Sequence, residues 1–225
     1  LRDSGLKKGE RVAFLCPNTP PHLEATFAVP AAGLVLVAIN TRLGKDEVTY
    51  IVEHSGAKMV FVDAELEKLL ADVDVERVRI DDTGEGGEPY EDYLAEGSPK
   101  PVESVLEDEE ETISINYTSG TTGRPKGVMY THRGAYLSAL GNAIEIGMGY
   151  ETKYLWTLPM FHCNGWTYPW AVTAVTSGTL AHTLVGCLPL PGSITLEHPS
   201  GALEVGLSRS ADDAPVIASV VRTAR

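Results

Sequence analysis

Tyr117-Thr118-Ser119-Gly120-Thr121-Thr122-Gly123-Arg124-Pro125-Lys126-Gly127 sets four small hydroxyl residues, three glycines and one lysine in a run with almost nothing apolar in it. A phosphate group asks for that composition: close backbone approach, N–H and O–H donors, and a positive charge. Glycine removes the Cβ that would hold the backbone away. Upstream, Glu111-Thr112-Ile113-Ser114-Ile115-Asn116-Tyr117 alternates, with Ile113, Ile115 and Tyr117 on one face, which predicts a strand. Downstream, Val128-Met129-Tyr130 continues apolar, and Thr131 and His132 precede a helix-like run from Gly134 to about Ile146. A Walker A loop is excluded, because that pattern needs a Gly-Lys pair followed by Ser or Thr, and here Lys126 stands between Pro125 and Gly127.

The eleven residues resemble the phosphate-loop signature of the adenylate-forming superfamily: acyl-CoA synthetases, luciferases and peptide-synthetase adenylation domains. The resemblance implies that Thr118, Ser119, Thr121 and Thr122 offer hydroxyls to the phosphates of ATP. It implies that Gly120, Gly123 and Gly127 shape the loop, that Lys126 is the charge partner, and that Arg124 faces solvent.

A second block, Trp156-Thr157-Leu158-Pro159-Met160-Phe161-His162-Cys163-Asn164-Gly165-Trp166, resembles the Pro-x-Phe-His-x-x-Gly segment of acyl-CoA synthetases. In the family this loop borders the acyl pocket. The resemblance makes His162 a catalytic and substrate-binding candidate beside Lys126, with Asn164, Gly165 and Trp166 lining the acid. Physically, His162 could donate a hydrogen bond to an acyl carboxylate as it loses charge. Read alone, a core histidine between two aromatics is the favoured reading; the order and spacing of the block after the phosphate loop reverse that preference. His162-Cys163 has no second Cys/His cluster at ligand spacing, so no metal site is named. A third block, Phe27 to Leu43, resembles the family's early helix–turn–strand segment and reads by itself as core.

Composition narrows the classes. A formal charge of −13 and the absence of a basic stripe argue against a nucleic-acid partner. The acidic, Gly- and Pro-punctuated stretch from Glu85 to Glu111 reads as an irregular surface connection. Three cysteines, Cys16, Cys163 and Cys187, form no framework and suggest a reducing, cytoplasmic setting. The longest apolar run, Phe27 to Ile39, is broken by Pro30 and Gly33 and is too short to span a bilayer.

Strands are predicted over 11–15, 34–39, 58–62, 77–80, 112–117 and 154–158, with a further candidate over 179–185. Helices are predicted near 22–31, 45–54, 65–71 and 132–146. This alternation predicts an α/β fold with a mostly parallel sheet flanked by helices. The family resemblance covers 1–176, a partial N-terminal AMP-binding domain. Residues 177–225 lack lysine and aromatics and read as an atypical tail, frameshifted or disordered. The family's Tyr-Gly-x-Thr-Glu segment, its Thr-Gly-Asp segment and its C-terminal lysine find no counterpart. Residues preceding Leu1 are expected to be missing as well.

The resemblance therefore implies a truncated ATP-dependent acyl-CoA synthetase working through an acyl-adenylate. Its partners would be ATP, Mg2+, coenzyme A and a medium-chain fatty or aryl acid. The isolated chain is expected to be inactive. Two alternatives stay open: a nucleotide-binding fragment without turnover, and a non-functional truncated product.

Overall fold

The structure is a computed structural model and describes residues 1–81, 88–98, 103–118, 123–150, 152, 154, 156, 158–175, 192–198, 201–209 and 215–223. The strands β1 (Arg11–Leu15), β2 (Val35–Ala38), β3 (Ala57–Asp63), β4 (Glu76–Ile80), β5 (Thr112–Tyr117) and β6 (Gly127–Thr131) form one sheet in the order β4-β3-β1-β2-β5-β6. All neighbours pair parallel except β5 and β6, which form an antiparallel hairpin.

The central strands are apolar in succession because both of their faces are covered. In β1, Ala13 and Leu15 join Val37, Ile39, Val60 and Val62 beneath α2 (Lys45–Ser55), which contributes Val48, Ile51 and Val52. Val12 and Phe14 point the other way, with Leu36, Met59 and Phe61, against Ala25 and Val29 of α1 (Pro20–Ala31) and Tyr90 of α3 (Pro89–Ala95). Both α1 and α3 begin with proline in their first turn, where the missing N–H has no intrahelical partner to lose.

Helix α2 opens with the Glu47 carboxylate accepting the Gly44 N–H at 3.0 Å. It closes at Gly56, whose left-handed φ of 65° suits a residue without Cβ. The Arg11 guanidinium caps the same end, donating to the Ser55 carbonyl at 2.7 Å. Thr131 caps α4 (His132–Glu145), its hydroxyl accepting the Gly134 N–H at 3.0 Å. Ala135, Ala139 and Ala143 form a buried stripe along α4, and Ala139 and Ala143 cluster with Ala171 of α5 (Tyr168–Val175). Small side chains let two helices approach closely.

The predicted parallel sheet and its first five strands are present. The expected helix at 65–71 is instead a short 3₁₀ segment, Glu67–Leu70. Helix α3 lies in the segment read as irregular. Of the strand predicted over 154–158, the described residues 154, 156 and 158 show only an isolated bridge at Trp156. The candidate strand at 179–185 lies outside the described residues.

The chain divides into two units: Leu1–Tyr154 with Leu158–Thr183, and Leu155–Thr157 with Leu184–Arg225. In the second, β7 (Gly192–His198), β8 (Gly201–Arg209) and β9 (Pro215–Thr223) pair antiparallel in that order. No helix among the described residues is long and apolar enough to cross a membrane.

Candidate functional site

The signature loop joins the two strands of the β5–β6 hairpin. Tyr117 pairs with Gly127 and Asn116 with Val128. One rung further, the Thr118 N–H donates to the Lys126 carbonyl at 3.0 Å. The loop is therefore held at both ends by main-chain bonds. A Cβ on Gly127 would lie 3.0 Å from Ile115 Cγ2 and 3.2 Å from Tyr117 Cζ, so any side chain there would have to push these two neighbours aside by a few tenths of an ångström. Gly123 faces open space. Thr118, Gly123 and Lys126 are exposed. Ser119, Gly120, Thr121 and Thr122 lie outside the described residues.

Helix α2 frames one side of this loop. His54 Nδ1 lies 2.8 Å from the Tyr117 hydroxyl. Arg124, expected to face solvent, is exposed but holds its guanidinium 5.3 Å from the centre of the Tyr50 ring, a cation–π distance.

On the other side, three asparagines hold the His162 loop. The Asn18 amide, on the turn after β1, donates to the Leu158 carbonyl at 2.7 Å and accepts the Met160 N–H at 2.7 Å. Asn116 Nδ2 donates to the Phe161 carbonyl at 3.0 Å. Asn164 Nδ2 donates to the Ser114 hydroxyl at 2.7 Å. Ser114 and Asn116 are two apart on β5 and so share a face. Ile115 and Tyr117, on the other face, pack against the α2 cluster. The alternation seen in the sequence thus has a polar half that grips a second loop.

Residues 163–167 turn in the left-handed sense: φ is 49° at Cys163, 52° at Asn164, 59° at Gly165, 56° at Trp166 and 63° at Thr167. Asn and Gly tolerate this region, whereas left-handed backbone costs other residues roughly 1–2 kcal/mol each. Polar groups of α4 offset that cost. Asn142 Nδ2 donates to the Trp166 carbonyl at 2.7 Å and to the Thr167 hydroxyl at 3.0 Å, and Ser138 Oγ lies 3.0 Å from Thr167 Oγ1.

The result sorts the four residues of the second block. His162 is exposed, so it is not a core histidine. Trp166 is also exposed, at 57%. Asn164 and Gly165 are buried, with the Asn164 donor engaged by Ser114. Cys163 Sγ lies 3.7 Å from His162 Nε2. Burial and a hydrogen bond with Cys163 push the Tyr130 phenol up to about 12.

The sequence reading did not single out Asn18, Ser114, Asn116, Ser138 or Asn142. The available signal was Asn116, a polar residue of low strand propensity at the end of a strand. Among the described residues no group of three or more His, Cys, Asp or Glu side chains could hold a metal ion, so Mg2+ is assigned no protein ligand and no step.

The candidate site lies where the C-terminal ends of β1 and β5 meet two loops, the usual place for a ligand on an open parallel sheet. A cleft of about 930 Å³ opens at the other ends of these strands, beside Arg11, Val35 and Thr112; the third block lines it with Phe27, Pro30 and Gly33, and the hydroxyl and His162 blocks do not.

Among curated proteins, the chain is 39% identical over 203 residues to an acetate/butyrate–CoA ligase of Arabidopsis thaliana, covering 80% of this chain and 36% of that protein. It is 40% identical over 201 residues to a trans-cinnamate:CoA ligase of Petunia hybrida, covering 77% and 35%. The chain thus spans about a third of the length of the curated relatives it matches. Among solved structures, it is similar to the inhibitor-bound N-terminal domain of FACL13 from Mycobacterium tuberculosis, with a TM-score of 0.67 and 30% identity over 77% of this chain and 45% of that one. It is also similar to the o-succinylbenzoate CoA synthetase of Bacillus subtilis in complex with its acyl-adenylate intermediate, with a TM-score of 0.64 and 26% identity over 77% and 44%. Residues 1–183, well over half of the chain, match the family model described as AMP-binding enzyme, and on that extent of match the chain belongs to the AMP-binding enzyme family.

Proposed function

We propose that this chain carries the phosphate-binding and acid-binding loops of an ATP-dependent acid–CoA ligase. The observation that carries the reading is the 3.0 Å bond from Asn116 to the Phe161 carbonyl. It puts the strand that leads into the hydroxyl loop directly against the residue preceding His162. An acid and the phosphate tail of ATP bound at these two loops would be neighbours. Joining them is the first half of the chemistry: a carboxylate oxygen attacks the α-phosphorus, pyrophosphate leaves, and an acyl-adenylate remains. In the second half a thiol, coenzyme A, displaces AMP.

The residues divide the work by charge. Negative charge grows on pyrophosphate as it departs. Donors aimed at that charge lower the barrier, on the order of 3 kcal/mol for a well-placed one. Thr118, Ser119, Thr121, Thr122 and Lys126 are the donors proposed for it. His162, exposed on the second loop, is the proposed donor to the carboxylate. The named relatives act on acetate, butyrate and trans-cinnamate. A small aliphatic or aryl acid is accordingly the proposed substrate class.

A second reading is favoured by the hairpin itself, which holds the hydroxyl loop at both ends through main-chain pairing. Nucleotide binding without turnover needs only the loop. Calorimetric titration of the purified chain with ATP and Mg2+, beside a pyrophosphate-release assay with butyrate and cinnamate, separates the two. Binding that weakens at least about tenfold, or 1.4 kcal/mol, in Lys126→Ala supports the phosphate assignment. Pyrophosphate release would favour the ligase reading for this chain. Binding unchanged in Lys126→Ala would remove the lysine from the site.

A further inference from the structure

We infer that Asn116 is a positioning residue that couples the phosphate loop to the His162 loop. This rests on the proposed reading of the two loops as neighbouring subsites.

Asn116 is tied to both. Its backbone pairs with Val128 across the hairpin, and the next two rungs, Tyr117–Gly127 and Thr118–Lys126, end at the loop. Its side chain donates to the Phe161 carbonyl, one residue before His162. It is 6% exposed, so water does not readily replace that bond. A parallel tie from Ser114 to Asn164, both buried, runs from the same face of the strand to the residue two after His162. The segment 161–164 is therefore pinned to β5 on either side of the histidine. Its other anchor, Asn18, belongs to the turn after β1 and has no bond to the hairpin among those described. A ligand that tightens the rungs at Thr118 and Lys126 shifts Asn116, and Asn116 carries the shift to the histidine loop. Removing Asn18 loosens the loop without cutting that route.

Hydrogen–deuterium exchange on the full 225-residue chain tests this. Peptides covering 116–128 and 158–166 are followed with and without ATP and Mg2+, and with inorganic pyrophosphate as a second probe. In the wild type both peptides should slow, each by at least about threefold. Asn116→Ala and the isosteric Asn116→Asp, neither of which donates to Phe161, should keep the response at 116–128 and lose it at 158–166. Asn18→Ala should exchange faster at 158–166 without ligand and still slow when ligand is added. A response at 116–128 with none at 158–166 in the wild type overturns the coupling and leaves the phosphate assignment standing. A full response at 158–166 in a folded Asn116 variant overturns it as well. No response at either peptide sinks the phosphate assignment, and the coupling with it.

Discussion

The side-chain oxygen of Asn18 lies 2.7 Å from the backbone nitrogen of Met160, 142 positions further along the chain, and its amide nitrogen lies 2.7 Å from the Leu158 carbonyl. One amide thus satisfies a main-chain donor and a main-chain acceptor of the loop that carries His162. Met160 is 1% exposed, so its N–H has little water to turn to.

Asn18→Ala should therefore destabilise the chain by about 3–4 kcal/mol, the sum of two lost bonds and a stranded buried donor. Asn18→Asp, which keeps the acceptor for Met160 and loses the donor to Leu158, should fall between. Urea unfolding followed by fluorescence reads both. An alanine variant as stable as the wild type would show that the loop stands without this clamp.

His22 should make stability depend on acid pH. It is fully buried, and burial pulls its imidazole down from the ordinary 6.5 to about 4. The unfolded chain then binds a proton at a pH where the folded chain does not. Stability from this group is complete above about pH 6.5 and is lost progressively as the pH falls toward 4, by about 3 kcal/mol in all. Urea midpoints at pH 4.5 and 7 in the wild type and in His22→Leu measure it. The difference between the two pH values should shrink in the variant.

Helix α4 should respond oppositely on its two sides. Leu137 and Ile144 are 53% and 72% exposed. Leu137→Lys with Ile144→Lys should change stability by no more than about 0.5 kcal/mol, as surface substitutions do. Ala139, 5% exposed in the Ala171 cluster, has no such room, and Ala139→Leu should cost about 1–3 kcal/mol by overpacking. Thermal melts of the two variants side by side decide it.

What was legible in the sequence followed from local pattern. β1, β2 and β3 are continuous apolar runs because each is covered on both faces, α2 declares itself through apolar spacing, and α4 through its threonine cap. The β6 strand was not marked as one, since Val128 and Met129 become a strand only by pairing with β5. Helices α3 and α5 are seven and eight residues long, too short for periodicity to show. The site was legible as two blocks of residue types, and not as a contact. Nothing local says that Asn116 bonds Phe161, 45 positions away. The left-handed turn at 163–167 was invisible because Cys163, Trp166 and Thr167 are not residues that favour it. Polar groups from α4 impose it.

The clamp at Asn18 also sets an order of assembly. β1, β2 and β3 with α1 and α2 all lie within the first 63 residues, and their pairings span 24 to 47 positions against 142 for the clamp. That part of the sheet can form while later segments are still being synthesised, since early domains and subdomains fold as they emerge. The histidine loop cannot be seated until Met160 has emerged to meet Asn18 and Asn116 has been laid down beside β2. Bonds of such sequence separation form late and slowly. The frame is thus an early product of folding and the proposed reaction centre a late one, so a chain arrested before residue 158 would hold the sheet and the hydroxyl loop without a histidine loop to face it.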